Sequence, residues 1–331
     1  MRVLITGGSG FIGSALIRSL ITDSPKYDVL NIDSLTYASN ESALDSILGQ
    51  PNYQFEKINI CNYEDLSQII KDFLPERIIH LAAESHVDNS INNPFSFLET
   101  NILGTYNLLQ ASRDLISREK LNKPFVFHHV STDEVFGDLQ LNDKSFTEES
   151  NYLPSSPYSA SKASSDHLVR AWSRTYGLNY VITNCSNNFG PFQHAEKLIP
   201  KTIYNAIMEK SIPLYGNGKQ IRDWLYVEDH VDAIKLITKK QIKNDTFNIG
   251  ANNEMTNIEI VTTILNKMIE KFAFPRDILD LISFVKDRPG HDERYGIDPS
   301  KIISKLGWKP KYNFNDAIEK TISWYISYYS K

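Results

Sequence analysis

The stretch "RVLITGGSGFIG", Arg2 to Gly13, runs five residues of strand character straight into glycines 7, 8, 10 and 13. These satisfy both GxGxxG (8, 10, 13) and the looser GxxGxxG (7, 10, 13). Glycines at such a turn let the backbone approach a pyrophosphate, and the helix that follows, read over "FIGSALIRSLI", turns its free N–H groups towards it. Gly7, Gly10, Phe11, Ile12 and Gly13 are therefore expected at a dinucleotide. Asp33 closes the next apolar run, where a carboxylate accepts hydrogen bonds from a ribose diol and repels a 2′-phosphate. "DSLTYASN" carries no Arg or Lys to offset that charge, so NAD is expected rather than NADP.

Outward from this turn, short β-type runs recur at 2–6, 27–33, 53–60, 77–83, 125–132, 180–186 and 246–250, with amphipathic segments between most of them. Nearly continuous apolar strands alternating with helices predict an α/β fold, a Rossmann-type doubly wound parallel sheet covered on both faces. After Asn187 the texture changes: "NNFGPFQ", "LYGNGKQ" and "DRPGHDERYG" read as loops. The expected division is an NAD-binding domain over 1–187 plus about 217–250, interleaved with a smaller mixed α/β substrate-binding lobe over about 188–216 plus 251–331.

The chain has 331 residues, enough for two such units, and its 41% hydrophobic and 23% charged content is that of a globular protein. A net charge of −5 argues against nucleic acid or a membrane surface as partner. Cys61 and Cys185 are far apart and outside any metal-ligand spacing, so neither a disulfide framework nor a zinc site is expected. "MRVLITGGSG" leads directly into structure without a signal-peptide pattern, and a cytoplasmic protein is expected.

"SPYSASKASSDHLVRAW" puts Tyr158 and Lys162 four residues apart on a segment that reads as a helix beginning at Pro157. An ammonium beside the phenol is expected to lower its pKa towards neutrality, so that it can take a hydroxyl proton as hydride leaves the same carbon. "FVFHHVSTDEVFG" ends a buried run in Thr132, Asp133 and Glu134. Ser131 and Glu134 there fit a capping box, and the adjacent acids fit a general acid and base at one pH, because one ionised carboxyl raises its neighbour's pKa. His86 and the His128-His129 doublet lack the spacing of a closed metal site, and no metal is expected.

The glycine turn, Asp33, the Ser/Thr-ended strand and the Tyr-Lys pair together resemble the extended short-chain dehydrogenase/reductases, the NAD-dependent epimerase/dehydratase family. "TGGSGFIG", "HLAAESHVD", "STDEVFGDL", "YSASKASSDHLVRA", "NCSNNFGPFQ", "EKLIP", "IRDWLYVEDH" and "DRPGHDERYGID" resemble, within it, the dTDP-glucose 4,6-dehydratase group over nearly the whole chain. The resemblance implies a lyase in which Tyr158 and Lys162 serve oxidation at C4 of the sugar and Thr132 bonds the C4 oxygen. Glu134 would remove the C5 proton and Asp133 would protonate the departing C6 hydroxyl, with NAD kept bound and regenerated in each turnover.

It further implies cofactor contacts at Asn59, Ile60, Ala82, Ala83, Thr100 and Asn187. Substrate contacts are implied at Ser85, Thr132, Asn187, Lys197, Tyr215, Arg222, Asn257, Arg288, His291 and Tyr295, the two arginines being suited to a pyrophosphate. A homodimer joined through helices near 100–117 and 159–176 is implied as well. Three departures stand out: Asn59 where the group has Asp, Asn89 where it has Arg, and His194-Ala195 within "FQHAEKLIP". A UDP-sugar 4-epimerase would share the fold, NAD and the Tyr-Lys pair, and CDP-glucose and GDP-mannose dehydratases are nearer alternatives. A non-enzymatic NAD-sensing protein is the alternative from another class.

Overall fold

The computed structural model describes residues 1–23, 27–118 and 125–330. Among the described residues twelve strands are formed: β1 (Arg2–Thr6), β2 (Asp28–Asp33), β3 (Tyr53–Lys57), β4 (Arg77–His80), β5 (Val126–Thr132), β6 (Tyr180–Cys185), β7 (Asn187–Phe189), β8 (Ile212–Tyr215), β9 (Ile221–Tyr226), β10 (Asp245–Ile249), β11 (Glu254–Thr256) and β12 (Ile282–Val285). Seven of them make one sheet in the order β10-β6-β5-β4-β1-β2-β3, parallel throughout.

Side-chain alternation explains why both faces are covered. Leu4, Leu30, Ile78 and Phe127 join Leu66, Leu108 and Val169 from helices Tyr63–Phe73, Thr105–Arg118 and Pro157–Tyr176. Val3, Val29 and Ile79 face the other way, against Leu16 of helix Phe11–Asp23 and Val231 of helix Val227–Lys239. Every strand but β3, the exposed edge strand, thus loses both faces to packing, as a parallel sheet requires. The order reverses between β1 and β4, and the cleft beyond their carboxyl ends is where such sheets take ligands.

The smaller lobe has β9 parallel to β7 and antiparallel to β11, with β8 and β12 as a separate parallel pair. Its core gathers helices Leu198–Ile207, Asn257–Phe272 and Phe314–Tyr329 around Phe189 and Trp224. The two units interleave differently from the expected division at two points. Ile221–Tyr226, allotted to the nucleotide domain, pairs in the small sheet. In the other direction, Ile302, Leu306 and Trp308 pack with Phe247 and Ile249 of the large sheet. Both are choices of long-range partner, which the local pattern of an apolar run does not specify.

Candidate active site

The glycine turn is built around close approaches. Gly7 has φ +70°, and a Cβ there would meet the Ala82 nitrogen at 2.6 Å, so the turn presses against the end of β4. A Cβ at Gly13 would lie 2.2 Å from the Gly7 carbonyl oxygen. That contact seats the helix start on the turn and leaves its first N–H groups facing the cleft. Beside the turn, Asp33 is held by three donors: Ser9 N at 3.0 Å, Leu35 N at 2.8 Å and Ser39 Oγ at 3.1 Å. Its carboxylate is thereby fixed at the edge where a ribose would lie.

All the residues expected to hold the dinucleotide line a single cleft of about 510 Å³, running from Gly7 and Asp33 past Ala82 and Thr100 to Tyr158, Lys162 and Asn187. Asn187 Oδ1 is buried there without a hydrogen-bond partner, and so is Asp133 Oδ2. The elongated cavity, the tight glycine cradle and these orphaned acceptors fit a dinucleotide with a second ligand beside it. Asn59 reaches the same cleft, its Oδ1 accepting from Cys61 N at 2.9 Å. Its carbonyl oxygen retains a second lone pair for an adenine amine.

At the far end, β5 delivers Thr132 and Asp133 into a short 3₁₀ turn, Asp133–Val135. The residue that caps this turn is Thr132, whose Oγ1 accepts from Glu134 N at 3.3 Å. The expected capping box from Ser131 is not formed, because the Ser131 hydroxyl donates to Asp166 Oδ2 at 3.0 Å instead. Asp133 is buried and Glu134 keeps part of its surface towards the cleft.

Their surroundings differ in kind. Burial pushes the Asp133 carboxyl well above its ordinary range, and Glu134 and Asp223 add to the effect. Burial also raises Glu134, but Arg222, Arg288 and Lys197 all pull it back towards the ionised form. A neutral acid beside a more readily ionised base is the division of labour that proton removal and donation at one pH require.

Helix Pro157–Tyr176 opens with the Ser156–Ser159 capping box and Pro157 in its first turn, which sets Tyr158 and Lys162 on the face towards β5. Lys162 Nζ donates to the Val130 carbonyl at 2.9 Å. The expectation that Lys162 lowers the Tyr158 pKa does not hold for the protein by itself. Burial pushes the phenol well above its usual value and the Glu134 charge adds to this, while a hydrogen bond to Thr132 works the other way. Lys162 is itself drawn down to about 8 by burial. Desolvation dominates at both groups.

Ser85, Thr132, Asn187 and Lys197 line the same cleft, with Lys197 Nζ donating to the Ser85 carbonyl at 2.9 Å. The remaining expected substrate residues form a second group in the small lobe. Asp88 accepts from Tyr215 at 2.8 Å and from Arg288 Nη1 at 3.1 Å, while Arg288 Nε is buried without a partner. His291 meets Asp287 at 2.6 Å and packs edge-on to Tyr215.

Arg222 lies 4.1 Å over the Tyr295 ring, and its two Nη atoms are bonded to backbone carbonyls of Ile221, Asp292 and Glu293. It presents charge to the carboxylate pair more than an open fork. Asn257 starts helix Asn257–Phe272, with its backbone N–H on Gln220 O at 3.0 Å.

Asn101, which the sequence reading passed over, sits in a π-helical segment, Leu98–Gly104, and bonds Ser161 and both backbone groups of Glu84. Nothing in its local sequence announces a widened turn. The departures Asn89 and His194 converge on one side chain: Asn89 Nδ2 donates to the Tyr37 hydroxyl at 3.1 Å and His194 packs edge-on to the Tyr37 ring.

The family model described as GDP-mannose 4,6 dehydratase matches residues 4–321. The dTDP-glucose 4,6-dehydratase of Haemophilus influenzae is 52% identical over 98% of this chain and 98% of its own. The chain belongs to the dTDP-glucose 4,6-dehydratase family. Among solved structures, the family member DesIV from Streptomyces venezuelae, with NAD bound, superposes with a TM-score of 0.89 at 39% identity, covering 99% of this chain and 97% of that one. The UDP-glucose 4-epimerase of Thermotoga maritima superposes nearly as well, at 0.87, but at 26% identity, covering 99% of this chain and all of that one. Backbone shape alone therefore does not separate dehydratases from epimerases; the side chains at the end of β5 must.

Proposed function

We propose that this chain is an NAD-dependent hydro-lyase that converts dTDP-glucose to dTDP-4-keto-6-deoxyglucose. The observation that carries the proposal is the Asp133–Glu134 pair lining the cleft beside Tyr158, since 4-epimerisation contains no step that needs two further acids. The glycine turn, Asp33 and Lys162 would hold NAD, which would supply an acceptor for the hydride leaving C4 and the source of the hydride that C6 receives.

Tyr158 takes the C4 hydroxyl proton, with the Thr132 hydroxyl on the same oxygen. Glu134 removes the C5 proton, made acidic by the C4 ketone, and Asp133 protonates the C6 oxygen as it departs as water. The electrons taken at C4 return at C6 and a proton returns at C5, so the sugar loses water with no net oxidation. Arg288, with its free Nε, and Lys197 provide positive charge for the diphosphate.

Incubation with dTDP-glucose in deuterated water tests this. Mass spectrometry and NMR are expected to find a 4-keto-6-deoxy sugar nucleotide carrying deuterium at C5. Recovery of only glucose and galactose nucleotides would support an epimerase instead.

The working form in this proposal is a homodimer in the cytoplasm. Helices Thr105–Arg118 and Pro157–Tyr176 lie side by side and expose Tyr106, Ile116 and Tyr176, with Trp172 edge-on to both tyrosines. Two such helices from each protomer would cover this apolar face as a four-helix bundle. Both cysteines are free thiols, which suits a reducing compartment. Sedimentation equilibrium is expected to give twice the chain mass, and Tyr106→Glu with Ile116→Glu is expected to return it to the monomer value.

A further inference from the structure

Asp166 lies one helical turn beyond Lys162 on helix Pro157–Tyr176, fully buried, and the reaction above gives it no task. Its Oδ2 accepts from Ser131 Oγ at 3.0 Å, the Tyr152 hydroxyl at 2.8 Å and Asn184 Nδ2 at 3.4 Å, and His129 Nε2 lies 3.2 Å from Oδ1. Tyr152 in turn accepts from Arg170 Nη1 at 3.2 Å. A carboxylate out of water is costly unless it is paired and bonded, so this arrangement keeps it ionised. Burial opposes that, yet His129, Lys162 and Tyr152 together hold its pKa below the ordinary value.

Two of these bonds reach the end of β5. Ser131 directly precedes Thr132, and Asn184 Nδ2 also donates to the Thr132 carbonyl at 3.1 Å. Lys162, through Val130, is tied to the same strand.

We propose that Asp166 is a positioning residue, clamping the strand end that carries Thr132 and Asp133 and keeping Lys162 charged for the step at Tyr158. The identity of that step rests on the dehydratase reading; the clamp and the countercharge do not. The ionisable groups facing Lys162 are Asp166, Cys185, His80 and His129. Burial lowers both histidines, His129 to about 4, and raises the Cys185 thiol to about 12, so these three are neutral at pH 7. Of the four, Asp166 alone carries charge there, and it supports a lysine whose midpoint is already down at about 8.

Asp166→Asn removes the charge and leaves an acceptor for Ser131 and Tyr152. NADH affinity, measured by fluorescence across pH, and kcat for dTDP-glucose are both expected to lose their alkaline limb at a pH lower by about one unit or more. The KM for the sugar nucleotide is expected to stay unchanged. Limbs that coincide with the parent's overturn the proposal, whatever the change in Tm. If Asp166→Asn does not fold, Ser131→Ala decides: a kcat down about tenfold at unchanged KM supports the clamp, and a parent-like kcat overturns it. A parent protein that forms no 4-keto-6-deoxy product would remove the dehydratase reading, whereas the NADH-binding limb reads Asp166 independently of it.

Discussion

Changing Asp133 to Asn and Glu134 to Gln together is expected to lower dehydration by about 10³-fold or more while leaving oxidation at C4 in place. Mixed with dTDP-glucose, the double variant should develop the 340 nm absorbance of reduced cofactor and then stall, with no water lost. The expectation follows from how the two carboxyls sit. Asp133 is buried at the end of β5, bonded on one oxygen to the Thr132 hydroxyl at 3.3 Å and bare on the other, so its amide replacement fits the same space.

Glu134 is the one opposed by three cations, so Glu134→Gln takes away the base and frees Arg222, Arg288 and Lys197 of one opposing carboxylate when they meet an anionic substrate. Substrate affinity should hold or tighten while turnover collapses. Normal dehydration by the double variant would remove both carboxyls from the mechanism. Loss of the 340 nm signal as well would mean that they serve the oxidation step, not elimination.

What the sequence made legible divides along local and distant interactions. The seven strands of the large sheet fall within three residues of the expected runs, because all but the edge strand β3 are buried on both faces and are written as short apolar segments. The dinucleotide cradle is equally readable: Gly7, Gly13 and Asp33 act within about thirty residues of one another, and the demand on Gly13 comes from the turn itself, although that on Gly7 comes from the distant Ala82 backbone. The small lobe was less so, since Ile221–Tyr226 finds its partners at β7 and β11 and not in the sheet that precedes it.

Ser131 shows the same limit at atomic scale. Its hydroxyl had a local partner on offer in Glu134 and a distant one in Asp166, and the buried carboxylate, needing every donor available, prevailed. The raised pKa of Tyr158 has a related cause. Four-residue spacing reveals the nearby ammonium, but not how far the surrounding core strips water from both groups.

Tyr158→Phe is expected to block the reaction one step earlier, with C4 oxidation down by about 10³-fold or more and no 340 nm signal on adding substrate. The ring packs edge-on to Phe97 at 6.3 Å, and phenylalanine keeps that contact, so Tm should change little. Lys162 remains bonded to Val130 and cofactor affinity should persist, which assigns the lost rate to the hydroxyl.

The sign of the parent's pH dependence follows from the same pair. Lys162, with its pKa lowered to about 8, is charged below that value and neutral above it, so turnover should fall as pH rises through about 8. In the Phe variant, residual turnover should lack that limb, because the ammonium has no phenol left to serve. The two variants then separate the chemistry at the point where this fold alone does not. A protein that only epimerised would lose activity at Tyr158 and tolerate the Asp133 and Glu134 changes, whereas a dehydratase must fail at both, in that order.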